Sequence, residues 1–187
     1  MKKKRIFCLT VVLIAILVGG YFYANVEKKH ALYNTGFENQ QLQPNVNTEP
    51  GKSVEYCFTC EHSKLSSIWI FAITKGDLKN HSLDYTLLAK DGSEFAKGSI
   101  KANKIKSGKF TSLDFDTIED SKGKDYIIRV TTDCAPTDVR ICTEPVGDKW
   151  AIRYGYRTWS LETMIVFDFL ALFLVAFIVV LQKLFRK

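Results

Sequence analysis

Four cysteines are the residues of this chain that could carry the most varied chemistry: Cys57, Cys60, Cys134 and Cys142. A Cys-x-x-Cys pair becomes a redox site when it opens a helix, because the helix terminus lowers the pKa of a thiol. Cys57 and Cys60 instead lie in β-prone sequence with no helical pattern after them, so redox catalysis is not expected. Zinc is disfavoured too, because seven residues separate the second pair and a strand lacks the turn that zinc-binding pairs need. We therefore predict no metal and no other cofactor.

Disulfides are the alternative use of these thiols, because cysteines outside the cytoplasm tend to oxidise. Residues three apart on a strand point to opposite faces, so Cys57 and Cys60 cannot easily bond to each other. If all four thiols are oxidised, the segment with Cys57 and Cys60 is linked to the segment that runs from Cys134 to Cys142. The other arrangement is a single bridge between Cys134 and Cys142, with two free and partly buried thiols.

The chain offers few groups for catalysis. Its three histidines, His30, His62 and His81, have no spacing that suggests a metal site or a nucleophile with its base, and we expect solvated surface residues. Asp114 and Asp116 lack the full oxygen-rich pattern of a calcium loop. An active site would have to be built from carboxylates alone, in a cleft that pairs them. The protein is therefore predicted not to be an enzyme.

Four residues are candidates for contact with a partner or a ligand: Asp168, Arg153, Arg157 and Trp159. Trp159 precedes an apolar run and is typical of an anchor at a membrane interface. Arg153 and Arg157 share one face of a predicted strand and could bind lipid headgroups or an anionic glycan. Asp168 interrupts the apolar run, where an acid costs about 2.5 to 3.5 kcal/mol at mid-helix. It is expected either in a shallow solvated position or beside a basic group of a partner helix.

Two apolar runs of 18 residues, Ile6–Tyr23 and Met164–Leu181, are long enough to cross a bilayer as helices. We divide the ends of the chain into a tail at 1–5, a transmembrane helix at 6–24, a second transmembrane helix at 161–182 and a tail at 183–187. The first helix could instead be a cleaved signal peptide. The aromatic residues at the end of its run favour a retained helix at the membrane interface.

Basic residues precede the first run and follow the second. Both termini are therefore predicted in the cytoplasm, and the middle of the chain outside it. This places the protein in the plasma membrane, with lipid as one partner. The net charge of +6 arises from the same flanking residues. Without those seven basic residues, the chain has 19 Lys and Arg and 20 Asp and Glu. A nearly neutral central domain gives no indication of a nucleic-acid partner.

The central segment divides into a polar stalk or linker at 25–52 and a β-rich domain at 53–158. The predicted strands, separated by turn residues, are Val54–Cys60, Leu65–Thr74, Leu83–Lys90, Glu94–Lys101, Lys109–Asp116, Asp125–Thr132, Val139–Thr143 and Trp150–Arg157. Short strands at this spacing, with no helix between them, favour an eight-stranded antiparallel β-sandwich or jelly roll flanked by the two transmembrane helices.

Both faces of the Leu65–Thr74 strand are apolar. Such a strand is central in its sheet and has its second face covered, either by the stalk or by a partner protein. An uncovered face around Ile68, Ile70 and Ala72 would favour a partner. Trp69 and Trp150 follow the apolar parity of their strands, so we expect them in the core rather than on a sugar-binding surface.

The central domain resembles the extracytoplasmic β-sandwich of bacterial envelope membrane proteins associated with surface-polysaccharide assembly. The resemblance covers about Ser53 to Thr143. The matching pieces are Phe58-Thr59 before Leu65-Ser66-Ser67-Ile68, the Leu83–Leu88 strand leading to Asp91-Gly92, and the segment Asp120–Tyr126. The four cysteines are not part of that pattern, and it contains no catalytic motif. The resemblance implies a carbohydrate-binding-like jelly roll that faces the cell exterior.

The predicted function is that of a non-enzymatic membrane accessory protein. Its jelly-roll domain would bind or position a glycan, or a protein partner that assembles or exports one. The alternative is a structural subunit of a membrane complex, in which the sandwich and the transmembrane helices make only protein contacts.

Overall fold

The computed structural model describes residues 2–185, and the side chains of residues 2–6, 8, 9 and 182 lie outside that description. Of the basic residues that predict the membrane orientation, Lys183 is described and is exposed at the end of the second apolar run, and the others lie outside the described side chains. The chain forms two compact units. One consists of residues 2–26 together with 158–185, and the other is Glu27–Arg157.

The first unit contains two helices, α1 at Lys2–Tyr23 and α2 at Leu161–Phe185. Within the described residues, α2 is the one helix long and apolar enough to cross a membrane, and its apolar stretch is not buried. The apolar part of α1, Thr10–Tyr23, is shorter than a full span. The start of α2 is capped by Ser160, whose hydroxyl accepts a hydrogen bond from the N–H of Thr163 at 3.4 Å.

The second unit is mainly β, with ten strands rather than the eight predicted. The strands are β1 Asn25–Ala31, β2 Gln43–Asn47, β3 Ser53–Thr59, β4 Leu65–Thr74, β5 Ser82–Ala89, β6 Glu94–Lys101, β7 Lys109–Ile118, β8 Asp125–Thr132, β9 Val139–Thr143 and β10 Ile152–Trp159. The eight predicted strands correspond to β3–β10, with ends shifted by a few residues.

The strands form two sheets. The smaller sheet has the order β3-β8-β5-β6, and its pairs are antiparallel. The larger has the order β1-β10-β4-β9-β2, with β7 on the free edge of β4. Strand β4 pairs with β7 along one edge, and with β10 and then β9 along the other. It is therefore the central strand, as its two apolar faces predicted.

The main core lies between the two sheets. Ile68, Ile70 and Ala72 of β4 are fully buried in it, together with Ile128 and Val130 of β8. The β4 residues that could have formed an uncovered partner surface therefore face the opposite sheet. Strict alternation explains this, because every second side chain of a strand points to the same face.

The segment 25–52 is not a stalk. It supplies β1 and β2 to the larger sheet, and its Tyr33 and Leu42 pack with Phe71, Cys142 and Ala151 in a second apolar cluster. This cluster covers the outer face of β4, which is the cover that the two-faced strand required. Strands β1 and β2 could not be predicted from the sequence, because both are short and polar. Such a composition suits the edge of a sheet.

Candidate functional site

The outer face of the larger sheet brings together aromatic rings and basic side chains. We call Lys29, Tyr33, Trp69, Phe110 and Arg153 the aromatic-basic face. Trp69 of β4 lies opposite Arg153 of β10 in the sheet register. The register of β4 with β7 places Phe110 beside Phe71, the next outward residue of β4 after Trp69. The face thus spans three neighbouring strands of the sheet and the end of β1.

Trp69 is half-buried and is held from two sides. The ammonium nitrogen of Lys29 lies 3.4 Å from the centroid of its ring, a cation–π contact. Its indole N–H donates to Ser67 Oγ at 2.9 Å, and the Ser67 hydroxyl donates to Glu27 Oε1 at 2.6 Å. This chain of hydrogen bonds fixes the orientation of the ring.

Arg153 is positioned by two aromatic residues. Its guanidinium carbon lies 4.0 Å from the centroid of Phe110, and its Nη2 donates to Tyr33 Oη at 2.6 Å. Its Nε is buried and, among the described residues, has no hydrogen-bond partner. Contact with an aromatic ring does not use the N–H donors of a guanidinium, so the nitrogens other than Nε retain donors that suit a planar anion.

Gly155 provides the space for this network. It is the next outward residue of β10 after Arg153, and a Cβ there would overlap Glu27 Oε1 and Ser67 Oγ. Only a glycine lets β1 and β4 side chains meet above this position. The absence of a side chain is therefore a requirement of the site.

The predicted contact residues are placed in different parts of the molecule. Arg153, near the start of β10, belongs to the aromatic-basic face, and Arg157 is exposed nearer the end of the same strand. Trp159 is exposed in the helical unit, where its ring centroid lies 6.2 Å from that of Tyr21. Trp150 is in the main core as expected, but the core assignment of Trp69 is wrong, because it lies on the outer face.

Sequence reasoning missed Lys29, Glu27 and Phe110 as members of the site. The first two were assigned to a stalk, and Phe110 is the second residue of a strand whose neighbour in the sheet cannot be predicted without the topology. The usable signal was the spacing of Glu27 and Lys29, which are two residues apart and therefore share one face of a strand.

Asp168 lies in the helical unit against Gly20 of α1. Its Oδ1 is buried without a hydrogen-bond partner among the described residues, and a Cβ at Gly20 would overlap it. The adjacent Phe167 stacks on Tyr23 with centroids 5.0 Å apart. The two helices therefore pack through small residues on α1 and the Phe167-Asp168 pair on α2. Asp168 was predicted either in a shallow solvated position or beside a basic group of a partner helix. Because its Oδ1 is buried, the carboxyl group is not fully solvated.

The predicted disulfides are not formed, since Cys57, Cys60, Cys134 and Cys142 are all free. Cys57 is exposed on the smaller sheet, and Cys142 lies in the apolar cluster on the outside of the larger one. Cys60 and Cys134 both reach the main core, but at opposite ends of β8. Eight residues at about 3.3 Å each keep these two roughly 25 Å apart. Burial raises the pKa of the Cys142 thiol to about 11, so this cysteine is not a nucleophile near neutral pH.

His30 and His62 are half-buried rather than solvated, and their ring centroids are 5.2 Å apart. His62 Nδ1 lies 2.8 Å from Tyr154 Oη, and its ring stacks on Tyr156 with centroids 3.9 Å apart. Burial, and then the neighbouring His30, lower the pKa of His62. Burial raises the pKa of Tyr154, so its hydroxyl keeps its proton and can donate to neutral His62.

A groove of about 630 Å³ lies between the edge strands β6 and β7. It is lined by Glu94, Phe95, Ala96, Lys97, Asp114, Phe115 and Asp116. Two of its three carboxylates are engaged, because Glu94 pairs with Lys97 at 3.3 Å and Asp114 accepts a hydrogen bond from the Ser112 hydroxyl. We assign no reaction to this groove.

No protein-family model matches the chain, and no curated protein matches it. Among solved structures, dimeric latent PorU from Porphyromonas gingivalis is similar with a TM-score of 0.35 and 9% sequence identity. The similarity covers 72% of this chain and 13% of that chain, so this chain spans a small part of that protein's length. At this TM-score the similarity carries no argument about fold or function.

Proposed function

We propose that the protein is a non-enzymatic membrane accessory protein whose β domain faces the cell exterior and binds an anionic glycan. The observation that carries the proposal is the aromatic-basic face. Two cations, Lys29 and Arg153, lie over aromatic rings within one sheet surface. The finer fold assignment, a jelly roll, belongs to the same proposal.

The chemistry of an acidic sugar suits this face. Sugar rings present C–H groups that pack on aromatic rings, and carboxylates form charge-assisted hydrogen bonds with arginine and lysine. Glu27 and Ser67 add a carboxylate and a hydroxyl that can meet sugar hydroxyls. A neutral sugar would gain the ring contacts but not the ionic ones. We therefore expect a preference for anionic chains, weakened by salt.

Membrane anchoring is supported by the composition and length of α2 and by the apolar segment of α1. The basic residues beyond both helices favour cytoplasmic termini. In this topology the β domain is extracytoplasmic, where a surface glycan is accessible.

The test is binding of polygalacturonate, with dextran as a neutral comparison, to the purified full-length protein in mild detergent. We expect Arg153→Gln and Lys29→Gln each to weaken polygalacturonate binding at least fivefold, since each removes a cation of the face. Arg129→Gln is the matched control, because Arg129 is an exposed arginine paired with Glu55 on the other sheet. Equal losses in all three variants, or equal binding of both polymers, would reject the proposal.

The second candidate function is a structural subunit of a membrane complex, and Asp168 is the observation that favours it. Its Oδ1 has no hydrogen-bond partner among the described residues, and an acid in an apolar helix is suited to pair with a basic or protonated group of another helix. Crosslinking and co-purification from mild detergent would test it. We expect Asp168→Asn to release a partner that Glu162→Gln, at the exposed start of α2, retains. Retention by both variants argues against this candidate.

A further inference from the structure

We propose that His81, Asp133 and Cys134 bind a divalent transition-metal ion of the zinc type. Their ligand atoms all lie within 4.8 Å of one another. His81 Nδ1 is 3.4 Å from Asp133 Oδ1. This site is separate from the aromatic-basic face, because it lies at one end of the smaller sheet.

The strand register brings these residues together. In the β5–β8 pair, Leu83 lies opposite Thr132. One step further, the N–H of Ser82 donates to Asp133 Oδ1 at 2.7 Å. Continued by one more residue, the same register would bring His81 across from Cys134, which agrees with the short distances among the ligand atoms. His81 is far from Asp133 and Cys134 in the sequence, and the three form no recognisable metal-binding motif. For this reason the sequence predicted a solvated His81 and no metal.

Two of the three residues, His81 and Cys134, are held in place by hydrogen bonds of their backbones. Ala102 N–H donates to the carbonyl of His81 at 2.8 Å, and His81 N–H donates to the carbonyl of Leu78 at 3.3 Å. Cys134 N–H donates to Thr132 Oγ1 at 2.9 Å. Ligands fixed by such outer hydrogen bonds lose little freedom when a metal binds.

The donor set selects the kind of ion. An imidazole nitrogen, a carboxylate oxygen and a thiolate sulfur are ligands of zinc, whereas calcium and magnesium take oxygen. Three protein ligands leave the fourth tetrahedral position to water.

Cys134 is fully buried, which favours retention of a bound ion, while His81 and Asp133 are more exposed and offer an entry path. Binding replaces the Cys134 S–H proton, which is released to solvent. Because protons compete with the metal for the thiolate, metal affinity should fall as the pH is lowered.

The test uses the full-length protein in detergent, stripped of metal with a chelator and titrated with Co²⁺. We expect one equivalent to produce the near-ultraviolet band of a thiolate–cobalt bond, displaced by Zn²⁺ but not by Mg²⁺ or Ca²⁺. Cys134→Ser should abolish the band, and His81→Gln and Asp133→Asn should each weaken Co²⁺ binding at least tenfold. Cys57→Ser is the matched control, because that exposed thiol lies outside the site.

Circular dichroism of each variant separates lost binding from lost folding. A wild-type protein that forms no thiolate–cobalt band at stoichiometric Co²⁺ would overturn the proposal. A band that survives in folded Cys134→Ser, or one lost in Cys57→Ser, would overturn it as well.

Discussion

His62 packs against Tyr154, Tyr156 and His30, and these surroundings oppose its protonation. Its pKa is lowered, first by burial and then by His30. The unfolded chain therefore takes up a proton before the folded protein does as the pH falls below about 6.5. We predict that stability decreases between pH 7.5 and pH 5.5, a range above the titration of most carboxyl groups. Thermal unfolding of the detergent-solubilised protein at both values measures this.

His62→Asn tests the assignment of that loss to His62. Asparagine keeps a polar atom near Tyr154 Oη but does not titrate. The pH-dependent decrease in melting temperature should become smaller in the variant. An unchanged decrease would assign the effect to another group. His81→Asn, with both proteins stripped of metal by a chelator, is the comparison, since His81 lies away from this cluster beside Asp133.

The thiols differ in accessibility, and their modification can be predicted. Cys57 is exposed, whereas Cys60, Cys134 and Cys142 are buried. In a Cys8→Ser background, native protein without reductant should take up one equivalent of a maleimide, at Cys57. Denatured protein should take up four. Fewer than four in the denatured sample would reveal a disulfide, and peptide mapping would locate it.

At the level of single residues, strand parity was enough to place Cys57 and Cys60 on opposite faces. It could not place Cys134 or Cys142, because their surroundings depend on which strands become neighbours. The same limit explains Trp69. Its parity correctly separated it from Ile68 and Ile70, but which of two apolar faces becomes the core is decided by the second sheet.

At the level of elements, the segment between β1 and β2 is predicted to contribute to stability. Leu42 is 4% exposed and packs in the apolar cluster on the outer face of the larger sheet. Leu42→Ala should lower the free energy of unfolding by about 2 to 4 kcal/mol through lost burial and a cavity. Gln40→Ala, at an exposed position two residues earlier, should change it little. Denaturant unfolding measures both, and equal values would mean that the segment is a loose linker.

At Gly98, the backbone of β6 lies very close to the side chain of Tyr85. Tyr85 Oη donates to the carbonyl of Asp114 at 2.5 Å and so ties the two sheets together. A Cβ at Gly98 would overlap the tyrosine ring. Gly98→Ala should therefore destabilise the protein by about 1 to 3 kcal/mol. The neighbouring exposed Ser99→Ala is the control in the same unfolding experiment, and a harmless Gly98→Ala would contradict the prediction.

Eight strands could be predicted because each combines alternating apolar residues with turn residues at its ends. Strands β1 and β2 could not, because Asn25–Ala31 is largely polar and Gln43–Asn47 has a single aliphatic side chain and a proline. Their pairing comes from tertiary contacts with β10 and β9 rather than from local preference.

At the level of the whole molecule, the proposed topology predicts that Cys57 is accessible from outside the cell. In a Cys8→Ser background, a membrane-impermeant maleimide should label Cys57 in intact spheroplasts as fully as in lysed ones. Cys57→Ser should not be labelled in either. Labelling only after lysis would place the β domain in the cytoplasm and reject the extracellular glycan as its ligand.

The pairing of β1 with β10 also constrains how the domain is made. The first and last strands are neighbours in the larger sheet, although 120 residues lie between the end of β1 and the start of β10. At about 5 to 20 residues per second, synthesis of that interval takes roughly 6 to 24 seconds. Throughout this time the growing chain cannot close the sheet. A protein delivered across a membrane as it is synthesised would thus complete its fold only after translocation of nearly the whole domain.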